Sequence, residues 1–223
     1  MGWLWLLAIA FAGAAMPGCM ASSRRTRAAD EPAVMTLTVF EDGFHSGFIV
    51  PYQGLPIELD RQRGSDRVPM DYVEISYGDA AWLQDLDRSL LHGLRITVAT
   101  GDGMFLMINH PFPACEGPDG VNARYWDIPL TAAGRDAFVA ALDSWLDRSR
   151  AYVRPPDDPM FLFDSTHRYQ LFGNCHDFTI AGLKAIGFPW NGHSIIATSG
   201  CMNQALTDGV ERLRRSGITA LGP

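Results

Sequence analysis

The stretch Gly173-Asn174-Cys175-His176-Asp177-Phe178 sets a thiol between a carboxamide and an imidazole, with a carboxylate close behind. Four uses of such a thiol are open: nucleophile, metal ligand, half of a disulfide, or a small buried side chain. The surrounding pattern favours the first. Residues 174–187, NCHDFTIAGLKAIG, read as a helix with Asn174 at the N-cap, Asp177 three residues on to complete a capping box, and Gly187 near the C-terminus. Cys175 then stands in the first turn, where the positive end of the helix dipole favours the thiolate. The backbone N–H groups there can also hold an oxyanion, so nucleophile and part of an oxyanion hole come together, without a base.

His176 is adjacent, but neighbouring residues on a helix project about 100° apart, so the base is expected elsewhere. Of the six histidines, His45 in FHSGFIVP is the candidate, since it stands in a strand close to Gly47, whose missing side chain lets another backbone or a substrate approach. Glu74, an acidic residue on the polar face of a strand, is the candidate for orienting the imidazole, with Asp79 at the strand end in reserve. Asn174 has an orienting or oxyanion role open to it. The competing chemistry is a metal site of His45, Cys175 and His176, but neither Cys-x-x-Cys nor His-Glu-x-x-His spacing supports it. No metal or other cofactor is expected.

The elements that must position these groups follow from periodicity. VMTLTVF (34–40) alternates as a half-buried strand and forms a hairpin with FHSGFIVP (44–51). YVEISYGD (72–79) puts Val73, Ile75 and Tyr77 on one face and Tyr72, Glu74 and Ser76 on the other. AAWLQDLDRSLL reads as a short helix, and LRITVAT, GMFLMINH and RYWDIPL as further strands. Residues 131–150 read as a helix capped by Thr131, with Phe138, Leu142, Trp145 and Leu146 on one stripe. The span 153–172 reads as a Pro- and aromatic-rich connection whose Phe161, Phe163, Tyr169 and Phe172 line a groove or join the core. TSGCMNQAL reads as a loop entering the last helix. Strands joined by tight turns pair antiparallel most simply, so the fold class is α+β, a sheet packed on one or two helices.

With 223 residues, 47% of them hydrophobic, the chain can bury one substantial core, and its net charge of −7 excludes nucleic acid as a main partner. Residues 1–18 are apolar over the length of a signal-peptide core, and Gly18-Cys19 fits a weak lipobox in which Cys19 is lipidated after cleavage. Residues 19–33 then serve as lipidation site and tether, and 34–223 as the folded domain. The chain is thus expected to be exported and held by a lipid anchor on the periplasmic face of a membrane, the outer membrane first. In such a compartment Cys115 and Cys201 are a possible disulfide.

These residues carry a family resemblance. GNCHDFTIAGL is similar to the Asn-Cys-Glu-His-Phe stretch of the lecithin retinol acyltransferase group, and HSGFIVP to the His-x-Gly-Ile strand of circularly permuted NlpC-like papain-fold hydrolases. In that permuted group histidine precedes cysteine, as His45 precedes Cys175. With YVEISYGDAAWL, these motifs resemble a bacterial lipoprotein family of the same superfamily, over roughly residues 34–215. The departures are Ser46 for the family's Thr, Ser76 and Tyr77 for its Gly and Trp, and Gly173-Asn174 before the cysteine. The resemblance implies a papain-like α+β domain with Cys175 as nucleophile, His45 as base and Glu74 as third member. It further implies a thiol hydrolase or acyltransferase of the cell envelope, acting on a small peptide or acyl substrate. The alternative is a non-catalytic envelope lipoprotein that uses the same scaffold as a binding module.

Overall fold

A computed structural model of the chain describes residues 31–43, 45–55, 71–84, 100–110, 123–152, 160–170, 173–191 and 199–222. The expected leader, Cys19, most of the tether, Cys115 and nearly all of LRITVAT lie outside these residues.

Alternating apolar residues make the first hairpin: β1 (Met35–Glu41) buries Leu37 and Val39 and pairs antiparallel with β2 (Ser46–Pro51), Thr38 facing Ile49. β3 (Tyr72–Asp79) follows with Val73, Ile75 and Tyr77 wholly buried, as its period of two demands. Four more strands, β4 (Gly101–His110), β5 (Arg124–Leu130), β6 (Leu146–Tyr152) and β7 (Met160–Tyr169), complete a seven-stranded sheet in the order β5-β1-β2-β3-β4-β7-β6. Every neighbouring pair in it is antiparallel. The described helices are α1 (Ala80–Leu83), α2 (Ala132–Trp145), α3 (Cys175–Ala185) and α4 (Ser199–Arg215), so the fold is α+β.

Three elements differ from the sequence reading. The helix expected over 131–150 ends at Trp145, and LDRSRAY turns into the edge strand β6 because β7 offers it a partner that local periodicity does not reveal. The expected connection over 153–172 contains β7, a strand with neighbours on both sides. Phe161, Leu162 and Phe163 are all buried, so the alternation that would betray a half-exposed strand is missing. The last helix begins at Ser199, inside the segment read as a loop, so Cys201 is helical.

Helices α2 and α3 lie against the face of the sheet that carries Phe48, Tyr77 and Phe105, and Phe178 of α3 is the hub of the contact. Its ring meets Phe48, Phe105 and Trp145 edge-on at 5.4, 5.0 and 5.5 Å and Tyr77 at 6.1 Å. Gly182, one turn further on, lets the helix seat directly on Phe48, whose Cζ stands 2.6 Å from where a Cβ would be. Loss of this hub should be costly. Phe178→Ala is expected to destabilise the domain by about 3–5 kcal/mol, read as a fall in the urea midpoint with little change in slope, whereas an effect below about 1 kcal/mol would contradict the packing.

Candidate active site

The start of α3 is built by its own cap. Asn174, in extended conformation, accepts with Oδ1 from the N–H groups of His176 (2.8 Å) and Asp177 (3.3 Å), and Asp177 accepts in return from the Asn174 N–H at 3.2 Å. The capping box read from sequence is therefore formed. It also assigns Asn174: its carboxamide oxygen closes the helix, and the His176 and Asp177 N–H groups are taken up by it. Upstream, Gln170 and Gly173 exchange two backbone hydrogen bonds (3.2 and 3.0 Å), folding the end of β7 back toward the helix start.

A hydroxyl relay ties this helix start to β2. Thr179 Oγ1 donates to the Cys175 carbonyl at 3.0 Å, one turn back, and lies 2.9 Å from Ser46 Oγ. Because the single threonine proton goes to the carbonyl, Ser46 must be the donor to Thr179. Both hydroxyls are wholly buried, so the bond sits in a low dielectric where it is strong and its loss is costly. The residue before Ser46 is His45, and its backbone N–H is held by Asp42 Oδ1 at 2.7 Å while its carbonyl accepts from the Asp42 N–H at 3.0 Å. His45 thus stands just before β2 rather than within it, at the end of the sheet where α3 begins. Next along, Gly47 admits close approach as expected: a Cβ there would stand 2.5 Å from the Ile75 carbonyl and 2.8 Å from the Phe40 ring.

These supports bring His45 and Cys175 into a side-chain hydrogen bond. Burial pushes the Cys175 thiol up, but hydrogen bonds from His176 and His45 and the charge of His45 outweigh it and bring the thiol down to about 5. For His45, burial works downward, while the hydrogen bond and charge of Cys175, then the charges of Glu74 and Asp42, carry it above the ordinary imidazole value. The pair is therefore a thiolate and an imidazolium from about pH 5 to above pH 6.5.

Two neighbours of the sulfur were not foreseen. His176 Nδ1 lies 3.5 Å from Cys175 Sγ, which corrects the expectation that an adjacent helical residue is poorly placed to hydrogen-bond the thiol. The angular argument places Cβ atoms, but the imidazole extends far enough beyond its Cβ to swing back to the sulfur. The second is Tyr169, the last residue of β7, half-buried, whose hydroxyl hydrogen-bonds Cys175; burial first, then the sulfur's charge, hold that hydroxyl firmly protonated. Its companions Phe161 and Phe163 are core side chains. A tyrosine closing a strand shortly before the cysteine was the available signal, and it was submerged in an aromatic-rich span.

Glu74 lies on the face of β3 opposite Tyr77, opposite Ile49 of β2, and accepts from Ser76 Oγ at 3.0 Å. Its charge, with that of Asp42, raises His45. Asp79 is the N-cap of α1, accepting from the Trp82 N–H at 3.1 Å, and its charge acts on Tyr77 and Tyr169. Among the described residues no group of three or more His, Cys, Asp or Glu side chains is arranged to hold a metal ion, and no helix is long and apolar enough to cross a membrane. No known protein family matches the chain, nor does any curated protein or solved structure.

Two measurements probe this geometry. The rate of Cys175 alkylation by iodoacetamide, followed on its own peptide by mass spectrometry, should rise through a midpoint near pH 5 and then stay level, because a depressed thiol is ionised above its midpoint. A midpoint near the unperturbed value of about 8.5 would refute the thiolate. In the relay, Thr179→Val and Ser46→Ala should each destabilise by about 1–3 kcal/mol, and the double variant by about 1 kcal/mol less than their sum. Strict additivity in urea unfolding would show that the two hydroxyls do not interact.

Proposed function

We propose that the protein is a cysteine hydrolase or acyltransferase that attacks an amide or ester carbonyl through Cys175, with His45 as acid and base. The observation that carries this reading is the Cys175 thiol at a capped helix start, hydrogen-bonded to His45 and held down to about 5. In the reaction, the thiolate adds to the carbonyl carbon, and the resulting oxyanion is received by the Cys175 backbone N–H and the Tyr169 hydroxyl. The His45 imidazolium gives its proton to the departing nitrogen or oxygen as the tetrahedral adduct collapses to a thioester. Neutral His45 then takes a proton from water or an acceptor hydroxyl or amine, which attacks the thioester and releases Cys175. Glu74 stabilises the imidazolium through its charge. No step needs a metal or nucleotide.

The chain order, a histidine before β2 and a cysteine opening a helix that packs on an antiparallel sheet, supports a papain-like domain of the permuted NlpC type. The leader and Cys19 support an exported, lipid-anchored protein, which makes cell-envelope peptides and lipid acyl groups the substrate classes to test. A second reading, a scaffold that binds without turnover, is favoured by one observation: Cys175 is only 3% exposed.

Incubation with peptidoglycan fragments and, separately, with phospholipid vesicles should leave an acyl adduct on Cys175, seen by mass spectrometry. With whichever substrate acylates the wild type, Cys175→Ala should abolish turnover and His45→Ala should lower it by about 10²–10⁴. Rapid alkylation of Cys175 without any acyl adduct or turnover would favour the binding scaffold.

A further inference from the structure

The Cys175 sulfur has two imidazole neighbours, and proton transfer to a substrate needs only one. They differ in their surroundings. His45 is half-buried at the end of the sheet, in a turn between strands. His176 is 6% exposed, inside the first turn of α3, with Nδ1 3.5 Å from Cys175 Sγ. Its other ring nitrogen, Nε2, is buried with no hydrogen-bond partner among the described residues.

We propose that His176 is a positioning residue for Cys175: its ring carries the proton on Nδ1 and donates it to the thiolate, while His45 alone exchanges protons with the reacting groups. This rests on the reading of Cys175 as a thiolate nucleophile. The tautomer follows from the two nitrogens. A proton on Nε2 would be a buried donor without an acceptor, whereas a proton on Nδ1 meets a sulfur lone pair, and a bare acceptor is the lesser loss. A ring closed off at Nε2 has no acceptor through which to pass a proton onward, so it holds the sulfur without shuttling.

The sulfur then receives donors from three elements: His45 from the hairpin, Tyr169 from β7 and His176 from α3. Behind His45 stand Glu74 and Asp42; behind Tyr169 stand Tyr77 and Asp79; next to His176 on the helix stands Asp177, which feels the charge of Lys184 in turn. A thiolate held by three donors is a weaker nucleophile but a better leaving group. That balance suits a site whose thioester must hand its acyl group on.

The tautomer is read directly on the folded, ¹³C,¹⁵N-labelled wild-type chain from two-bond nitrogen–proton correlations, with the His176 ring assigned by through-bond connection to its own backbone amide. Protonation at Nδ1 supports the proposal, and protonation at Nε2 overturns it even if the Phe variant fails to fold. In folded His176→Phe, the alkylation midpoint of Cys175 should rise by roughly one pH unit or more, a tenfold loss of thiolate below it. An unchanged midpoint overturns the proposal. Hydrolysis of p-nitrophenyl acetate by His176→Phe should return to the wild-type level above the shifted midpoint, while His45→Ala should stay impaired at every pH; a His176→Phe defect that no pH relieves would make His176 a proton carrier and overturn it. A wild type that shows the Nδ1 tautomer and the low midpoint without any turnover supports the positioning role and rejects the hydrolase reading, so the two fail separately.

Discussion

The buried hydrogen bond from Ser46 to Thr179 is the constraint on which the site depends. It joins residues 133 apart in sequence, and its direction is forced because Thr179 gives its own proton to the Cys175 carbonyl. One end of this relay adjoins His45 in the chain and the other is Cys175 itself. The distance between base and nucleophile is thereby set by two short polar links inside the core, where water cannot compete for either hydroxyl. The helix contributes the rest through spacing: Cys175, Phe178, Thr179 and Gly182 recur at intervals of three and four and are all buried. The reactive sulfur therefore lies on the same stripe as the side chains that dock the helix.

That placement explains how a buried thiol can be acidic. Burial alone would favour the neutral form, and it is the largest influence on Cys175. What reverses it is the convergence of donors from separate elements: a hairpin turn, the end of β7 and the first turn of α3. Each is held by its own local bonds, Asp42 on His45, the Gln170–Gly173 turn after Tyr169, and the Asn174 cap beneath His176. Since these donors are fixed before any substrate arrives, little reorganisation is needed to hold the negative charge.

The parts of this arrangement that local pattern encodes were legible in sequence: β1, β3 and β5 within a residue at each end, and the capped start of α3. What was not legible depends on contacts distant in the chain. β7 hides its alternation because both faces of Phe161-Leu162-Phe163 are covered, and β6 is a strand only because β7 lies beside it. Tyr169 gains its role from a turn that brings it back to a helix not yet begun. His176 was set aside on helix angles, a rule about Cβ directions that does not hold for the end of a long side chain within its own turn.

Glu74 marks a different kind of influence. It stands on the sheet face opposite the aromatic hub, facing Ile49 in the neighbouring strand, two positions along β2 from Gly47. Gly47 presents no side chain of its own on the strand between His45 and that carboxylate, and the Phe40 ring takes that space, 2.8 Å from where a Cβ would stand. Glu74 also takes the Ser76 hydroxyl as a hydrogen-bond donor, which steadies its carboxylate. A field of this kind favours the imidazolium without dictating the ring's tilt. The tilt is then set by the bond to sulfur at one side and by the Phe40 ring, 5.9 Å away between centroids, at the other. Orientation and charge stabilisation, which a single hydrogen-bonded carboxylate would supply together, are here divided between packing on one strand and charge on the next.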